Sequence, residues 1–284
     1  MKRHLLLLAL IAAAPVHAFN LGDALQKMGD PNVQKALSIG KKVVEANKEI
    51  TEPQEIEIGR GIAANLLGAA PLVKNESLQK YVNRVGVWIA LQTERPDLPW
   101  RFGVIDTPNV NAFATPGGTI LITRGLYEKL RNESELAGVL AHEIAHVLQK
   151  HQLKAIKAAM GREWKMDIAV AAAEQKNNSD AKNSLKAFTA GTELFARGLD
   201  KKDEYEADRM GVVLAARAGY NPYGLVGSLQ TLDAVNAQDG AMALMFKTHP
   251  APAKRLELLA TSMGERLDAY AESAREPARF YVLK

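Results

Sequence analysis

The clearest structural signal in the chain is the segment 132–148, whose sequence is NESELAGVLAHEIAHVL. Asn132 is a favoured N-cap residue, and Glu135 follows three residues later, as in a capping box. Apolar residues then recur at helical spacing and form one continuous stripe. The stripe consists of Leu136, Leu140, Ile144, Val147 and Leu148. The segment therefore predicts an amphipathic helix whose apolar face is buried in the core.

The same helix carries the pattern His-Glu-x-x-His at residues 142–146. Because a helix turns by about 100° per residue, His142 and His146 are about 40° apart on one face, with Glu143 displaced toward that side. Two imidazoles so placed can bind one metal ion while the carboxylate reaches a water molecule on it. The alternative is two core histidines that only hydrogen-bond to the backbone. We expect His151 to project about 140° away from His146, as a structural or exposed residue.

A group of acidic residues at positions 203–208, with the sequence DEYEAD, offers a third ligand. A catalytic zinc usually has three protein ligands and one open position, and two histidines with one glutamate are a common set. Glu204 and Asp208 are one helical turn apart on one face. One carboxylate can therefore bind the metal while the other accepts the N–H of a ligating imidazole. We expect Glu206 to point elsewhere, into solvent.

The composition limits the classes of site that the chain can form. Of its 284 residues, 47% are apolar and 24% are charged, which is typical of globular proteins. The chain has no cysteine, so disulfides, cysteine-ligated zinc and thiol nucleophiles are excluded. A metal must be held by His, Asp or Glu. The net charge is +4, and the basic residues are spread along the chain, which argues against a nucleic-acid partner.

The first 18 residues have the features of a removable signal peptide. A basic start at Lys2 and Arg3 precedes an apolar run at 5–14, and Val-His-Ala at 16–18 provides a small-residue cleavage site. The run is shorter than the ~20 residues of a bilayer span, so no transmembrane anchor is expected after cleavage. We expect a single mature domain at 19–284 that is exported, to a periplasm or as a secreted protein.

The remaining patterns predict a mainly helical α+β fold. Helical spacing extends over 19–93, 132–159 and 182–218, with Gly219 as a C-terminal stop. Between the first two helical regions, short β-like runs at 100–105 and 119–123 predict a small sheet next to the helix that would bind zinc.

Several sequence blocks, spread over about residues 55–260, occur in a characteristic order. They are 111–114 with 116–118, 135–137 leading into 142–146, 204–209, 219–222, and 249–250 with Arg255. In these blocks the chain resembles the zinc metallopeptidase family that includes HtpX and the CAAX prenyl endopeptidase, and in particular its soluble exported bacterial branch.

The resemblance implies zinc, one ion per chain, and hydrolysis of peptide bonds. It implies that His142, His146 and Glu204 are the metal ligands, that Glu143 is the catalytic base, and that Asp208 supports a ligand. Since no spanning helix is expected, the chain departs from the integral-membrane members, which argues against a membrane-embedded or prenylated substrate. The predicted substrates are polypeptides, in particular unfolded or damaged exported proteins.

Two other functions remain open at the level of sequence. One is an exported chaperone-like binding protein whose metal site is only structural, and the other is a metal-dependent hydrolase of a cell-wall amide bond. Glu143 favours an enzyme, because a structural zinc site has no use for a base beside its ligands.

Substrate contacts are predicted at three further positions. His249 begins a rigid His-Pro-Ala-Pro turn and could serve as an oxyanion donor or as a fourth ligand that closes the site, unless it is an ordinary loop histidine. If the strand at 119–123 lies at the sheet edge, an extended peptide could pair with it; otherwise it is an ordinary buried strand. The segment 111–118 is either part of the cleft or a structural turn.

Overall fold

The computed structural model describes residues 50–156, 158, 199–235, 240–242, 245, 248–273 and 280–283. The helices are α1 (Glu52–Ala69), α2 (Glu76–Ala90), α3 (Arg124–Tyr127), α4 (Glu133–Leu148), α5 (Lys201–Arg217), α6 (Gly224–Asp233), α7 (Pro252–Met263) and α8 (Asp268–Ser273), and a 3₁₀ turn covers Gly240–Met242. The strands are β1 (Arg101–Ile105), β2 (Ala112–Thr115) and β3 (Thr119–Thr123). The predicted signal peptide lies outside the described residues.

The sheet has three strands in the order β1-β3-β2. Strand β3 pairs in parallel with β1 and antiparallel with β2, and Thr119 is opposite both Arg101 and Thr115. The prediction of strands β1 and β3 is confirmed, but β2 was not predicted, because the four residues Ala-Phe-Ala-Thr are too few to show a periodic signal. The suggestion that residues 119–123 lie at the sheet edge is wrong, since β3 is the central strand.

Helix α4 is the centre of the fold and contacts α2, α5, α6 and the sheet. Every residue from 133 to 147 is buried. The carboxamide of Asn132 caps the helix by accepting the Glu135 N–H at 2.8 Å. The Glu135 carboxylate does not complete a capping box, because it accepts from the backbone N and the Nε of Arg131 instead. The predicted fold class, mainly helical with a small sheet next to the histidine-bearing helix, is confirmed.

Two glycines allow the helices around α4 to approach closely. A Cβ at Gly138 would lie 2.4 Å from the backbone nitrogen of Leu225 in α6, and one at Gly211 in α5 would lie 3.0 Å from the Cα of His142. The first separation is shorter than atomic contact permits. Contact between α5 and α4 at Gly211 brings the acidic segment 203–208 beside the two histidines.

Helix α5 confirms the predicted helical end. Gly219 has a φ of +83°, the left-handed conformation that glycine adopts most easily after a helix. The earlier part of the predicted 182–218 helix, up to residue 198, lies outside the described residues. Among the described residues, no helix combines the length and the apolar character that a bilayer span requires.

The Gly138→Ala substitution should lower the free energy of unfolding by about 1–3 kcal/mol, because the new methyl group would force α4 and α6 apart. Urea denaturation measures this change. Gly61→Ala is the matched control, since a Cβ there would meet nothing within 4 Å. It should stabilise the protein by about 0.4–1 kcal/mol. Equal effects of the two substitutions would contradict the close packing at Gly138.

Candidate metal centre

The two histidines of α4 direct one nitrogen each at a common point. The Nε2 atoms of His142 and His146 lie 3.1 Å apart, and both side chains are buried. Two nitrogens that are each 2.0–2.1 Å from one tetrahedral zinc ion would be about 3.3 Å apart. Burial lowers the pKa of both imidazoles, which favours the neutral form that binds metals. This spacing and protonation therefore fit a shared metal ion.

Glu204 of α5 faces the same point from the opposite side. Its Oε1 lies 3.4 Å from His146 Nε2, and its Oε2 lies 3.8 Å from His142 Nε2. The side chain is fully buried, and neither oxygen has a hydrogen-bond partner among the described residues. Burial raises the pKa of this carboxyl well above its ordinary value. An isolated buried carboxylate is strongly unfavourable, and a cation between it and the two imidazoles would satisfy it.

Asp208 and Arg255 support the His142 side of the centre. Asp208 Oδ1 lies 2.9 Å from His142 Nδ1, so it can accept the N–H of that ring. The guanidinium of Arg255, on α7, donates to Asp208 Oδ2 from Nε at 2.9 Å and to Oδ1 from Nη2 at 2.5 Å. Burial alone would raise the pKa of Asp208, but Arg255 and His142 together lower it. Arg255 belongs to one of the characteristic sequence blocks, but no role was predicted for it from the sequence.

His151 supports the His146 side, contrary to the sequence prediction. Helix α4 ends at Leu148, and Lys150 has a φ of +55°, which turns the chain before the helical residues 151–156. His151 is consequently fully buried, with its Nδ1 2.9 Å from His146 Nδ1. The prediction that it projects away from His146 is wrong, because the rotation per residue was extended past the end of the helix.

Glu143 and His249 border a cleft beside the two imidazoles. The cleft is lined by residues 112–114 of β2, together with Glu143, His146, Glu204 and His249 among others. Burial raises the pKa of Glu143 to about 8. The structure thus places the first part of segment 111–118 at the cleft.

The His249 ring approaches the ligand group closely. Its Nε2 lies 3.8 Å from Glu204 Oε2, and one nitrogen of this ring belongs to a set, with atoms of His142, His146 and Glu204, whose members all lie within 4.8 Å of one another. Thr248 Oγ1 lies 2.9 Å from the other ring nitrogen, Nδ1. The donor set could therefore hold a cation with three or with four protein atoms.

The sequence of the chain matches the model of one known protein family. Residues 74–262 match the family described as peptidase family M48. The matched range contains all the residues of the centre, both those on α4, α5 and α7 and the two histidines outside these helices, His151 and His249. The match agrees with the resemblance that the sequence blocks indicated.

Individual relatives carry names of the same kind. The chain is 29% identical over 246 residues to the beta-barrel assembly-enhancing protease of Escherichia coli strain K12, an alignment covering 86% of this chain and 47% of the relative. It is 33% identical over 176 residues to the mitochondrial metalloendopeptidase OMA1 of Schizosaccharomyces pombe, covering 62% and 50%. It is 29% identical over 159 residues to the metalloprotease LoiP of Escherichia coli strain K12, covering 56% and 61%. The chain spans about half the length of the first two.

A double-mutant cycle tests the buried Asp208–Arg255 pair in metal-free protein. Asp208→Asn or Arg255→Met alone leaves the partner's charge buried and unpaired, and each should lower the free energy of unfolding by about 3–5 kcal/mol. The double variant should lose less than the sum of the two, as measured in urea.

The exposed pair of Arg217 and Glu94, at 3.0 Å, provides the control for this cycle. Glu94→Gln should change the free energy of unfolding by no more than about 1 kcal/mol. Strictly additive losses for Asp208 and Arg255 would show that the two side chains do not stabilise each other.

Proposed function

Because the chain belongs to peptidase family M48, we propose that it is a zinc-dependent endopeptidase that hydrolyses peptide bonds in unfolded or damaged exported proteins. The observation that carries the proposal is the Glu204 carboxylate, buried without a hydrogen-bond partner among the described residues and facing two neutral imidazoles. A divalent cation at this point satisfies all three side chains.

The residues divide into those that hold the ion and those that orient its ligands. His142, His146 and Glu204 hold one zinc ion per chain. Asp208 accepts the Nδ1–H of His142 and thereby keeps the lone pair of that ring on Nε2. His151 Nδ1 does the same for His146.

When bound, zinc would supply Lewis-acid chemistry, polarising the scissile carbonyl and making water more acidic. Glu143 performs the proton transfers. Its carboxylate takes a proton from the attacking water and then gives that proton to the leaving amine. Burial raises the pKa of this side chain to about 8, in the range where a carboxyl can both take and release a proton near neutral pH. No covalent bond to the protein is required.

Strand β2 is the surface on which a substrate would lie. Within the described sheet, β2 pairs only with β3, and its residues 112–114 line the cleft beside Glu143. An extended peptide can add to such an edge by backbone hydrogen bonds, which carry little side-chain specificity. This mode of binding requires an unfolded segment, which supports unfolded polypeptides as the substrate class.

The location and domain organisation are part of the proposal. Residues 1–18 have the features of a signal peptide, and one relative is named a beta-barrel assembly-enhancing protease. We therefore infer a periplasmic or secreted protein whose residues 19–284 form one metallopeptidase domain, with its core at about 55–260.

His249 has a proposed role as a fourth protein ligand. Its nitrogen lies within 4.8 Å of the donor atoms of the other three ligands, so its binding would close the position that a substrate needs. The alternative role, as a donor to the oxyanion of the transition state, uses the same cleft position.

The substitution Glu143→Gln should lower kcat/KM by about 10²–10⁴-fold while the zinc content stays unchanged, because it removes the base and no ligand. His142→Ala, His146→Ala and Glu204→Ala should lose zinc as well as activity. The measurements are cleavage of an unfolded protein and elemental analysis after dialysis. The exposed Glu257→Gln is the control, and full activity of Glu143→Gln would refute the assignment.

The substitution His249→Ala should make zinc easier to remove with a chelator, because one of four donors is lost. Higher activity of the same variant would identify His249 as a closing ligand, whereas lower activity with unchanged zinc retention would identify an oxyanion donor. Unchanged activity together with unchanged zinc retention would exclude both roles.

A further inference from the structure

We propose that His151, Asp203 and Glu206 form a second, weaker site for a divalent transition-metal cation, and that filling it weakens metal binding at His142, His146 and Glu204. The binding of a cation at this second site is argued from His151, Asp203 and Glu206 alone. The coupling between the two sites rests on the proposed function, because it requires His146 to be a metal ligand.

The second site is built around an unsatisfied histidine nitrogen. His151 is fully buried, and its Nε2 has no hydrogen-bond partner among the residues that the structure describes. Asp203 Oδ1 and Glu206 Oε2 each lie 3.6 Å from this nitrogen, which is beyond hydrogen-bond distance. One donor atom from each of the three side chains lies within 4.8 Å of the others. The nitrogen therefore faces two carboxylates at distances longer than an ordinary hydrogen bond.

The chemistry of these donors suits a cation such as zinc. Imidazole together with carboxylates is a common ligand set for zinc, and related divalent ions can use the same donors. Asp203 and Glu206 are three residues apart on α5 and share a face. Their side chains are 27% and 45% exposed, so an ion can reach them from solvent. Fewer buried donors and greater access predict weaker binding than at the buried first site.

The two sites share a hydrogen bond. His146 Nδ1 and His151 Nδ1 lie 2.9 Å apart, so one of them must donate and the other accept. Both rings are buried, and burial disfavours the charged form, so each neutral ring carries one N–H. When His146 binds a metal through Nε2, its proton is on Nδ1 and points at His151. The proton of His151 is then on Nε2, facing the two carboxylates.

A cation at the second site needs the Nε2 lone pair of His151. The proton of that ring must then move to Nδ1, where it would face the Nδ1–H of a metal-bound His146 across 2.9 Å. Both sites can be filled only if one ring turns or loses its remaining proton, and each change costs free energy. Since such coupling is reciprocal, each ion weakens the binding of the other. Excess metal should therefore inhibit the enzyme.

The test measures zinc binding to the full chain by equilibrium dialysis and elemental analysis. Wild-type protein should bind one ion tightly and a second only at higher free zinc. The variant Asp203→Asn with Glu206→Gln should bind the second ion at least about tenfold more weakly and keep the first. The control Glu57→Gln with Glu76→Gln removes two exposed carboxylates elsewhere and should behave as wild type.

A second arm tests the coupling with Glu204→Gln, which removes a ligand of the first site. With His146 free to accept from His151, this variant should bind zinc at the second site more tightly than wild type does. In wild type, filling the second site should speed extraction of the first ion by a chelator. If wild type and the Asp203→Asn/Glu206→Gln variant bound the second zinc ion with equal affinity, the second site would be overturned. If filling the second site left the rate of extraction of the first ion unchanged, the coupling would be overturned.

Failure of the proposed function has a different signature. A wild-type protein that binds no tight ion, or binds it equally after Glu204→Gln, would refute the first site. The second site would still be tested by comparing zinc binding in two proteins. One carries Glu204→Gln alone, and the other carries Glu204→Gln together with Asp203→Asn and Glu206→Gln. Equal zinc binding by those two proteins would overturn it.

Discussion

The metal centre is organised around one buried carboxylate, that of Glu204. Its oxygens have no hydrogen-bond partner among the described residues, and the Nε2 atoms of three imidazoles, those of His142, His146 and His249, lie 3.4–3.8 Å from them. Alone, this arrangement would destabilise the fold, because a buried carboxylate needs compensation. A cation converts the same arrangement into a ligand set. The glycine contact between α4 and α5 and the buried Asp208–Arg255 pair then serve to hold that set in place.

The buried charges around the centre are consistent with a divalent ion. Glu143, Glu204 and Asp208 supply three carboxylates, and Arg255 supplies one guanidinium, all of them buried. If all four are ionised, two negative charges remain, which one divalent cation neutralises. Arg255 carries a positive charge close to His142, with Nη2 3.3 Å from Nδ1. The same Nη2 also lies 3.5 Å from Nε2, the ring nitrogen that would bind the metal, and its charge is neutralised locally by the two hydrogen bonds that Arg255 donates to Asp208.

Local signals predicted α4 and the spacing of its histidines, because the cap, the apolar stripe and the His-Glu-x-x-His pattern all lie within one helix. The carboxylates on α5 could be predicted as one-turn neighbours for the same reason. Tertiary features could not be predicted. Strand β2 exists only through its pairing with β3, and Arg255 reaches Asp208 across 47 positions of the chain. His151 was misplaced because one left-handed residue, Lys150, redirects the chain.

Anomalous X-ray diffraction at the zinc edge, on crystals of the full chain loaded with one equivalent of zinc, would locate the ion directly. We expect a single dominant peak about 2.0–2.2 Å from His142 Nε2, His146 Nε2 and a Glu204 oxygen. The absence of a peak at that position, with Glu204 hydrogen-bonded to another group instead, would contradict a metal centre formed by these three side chains.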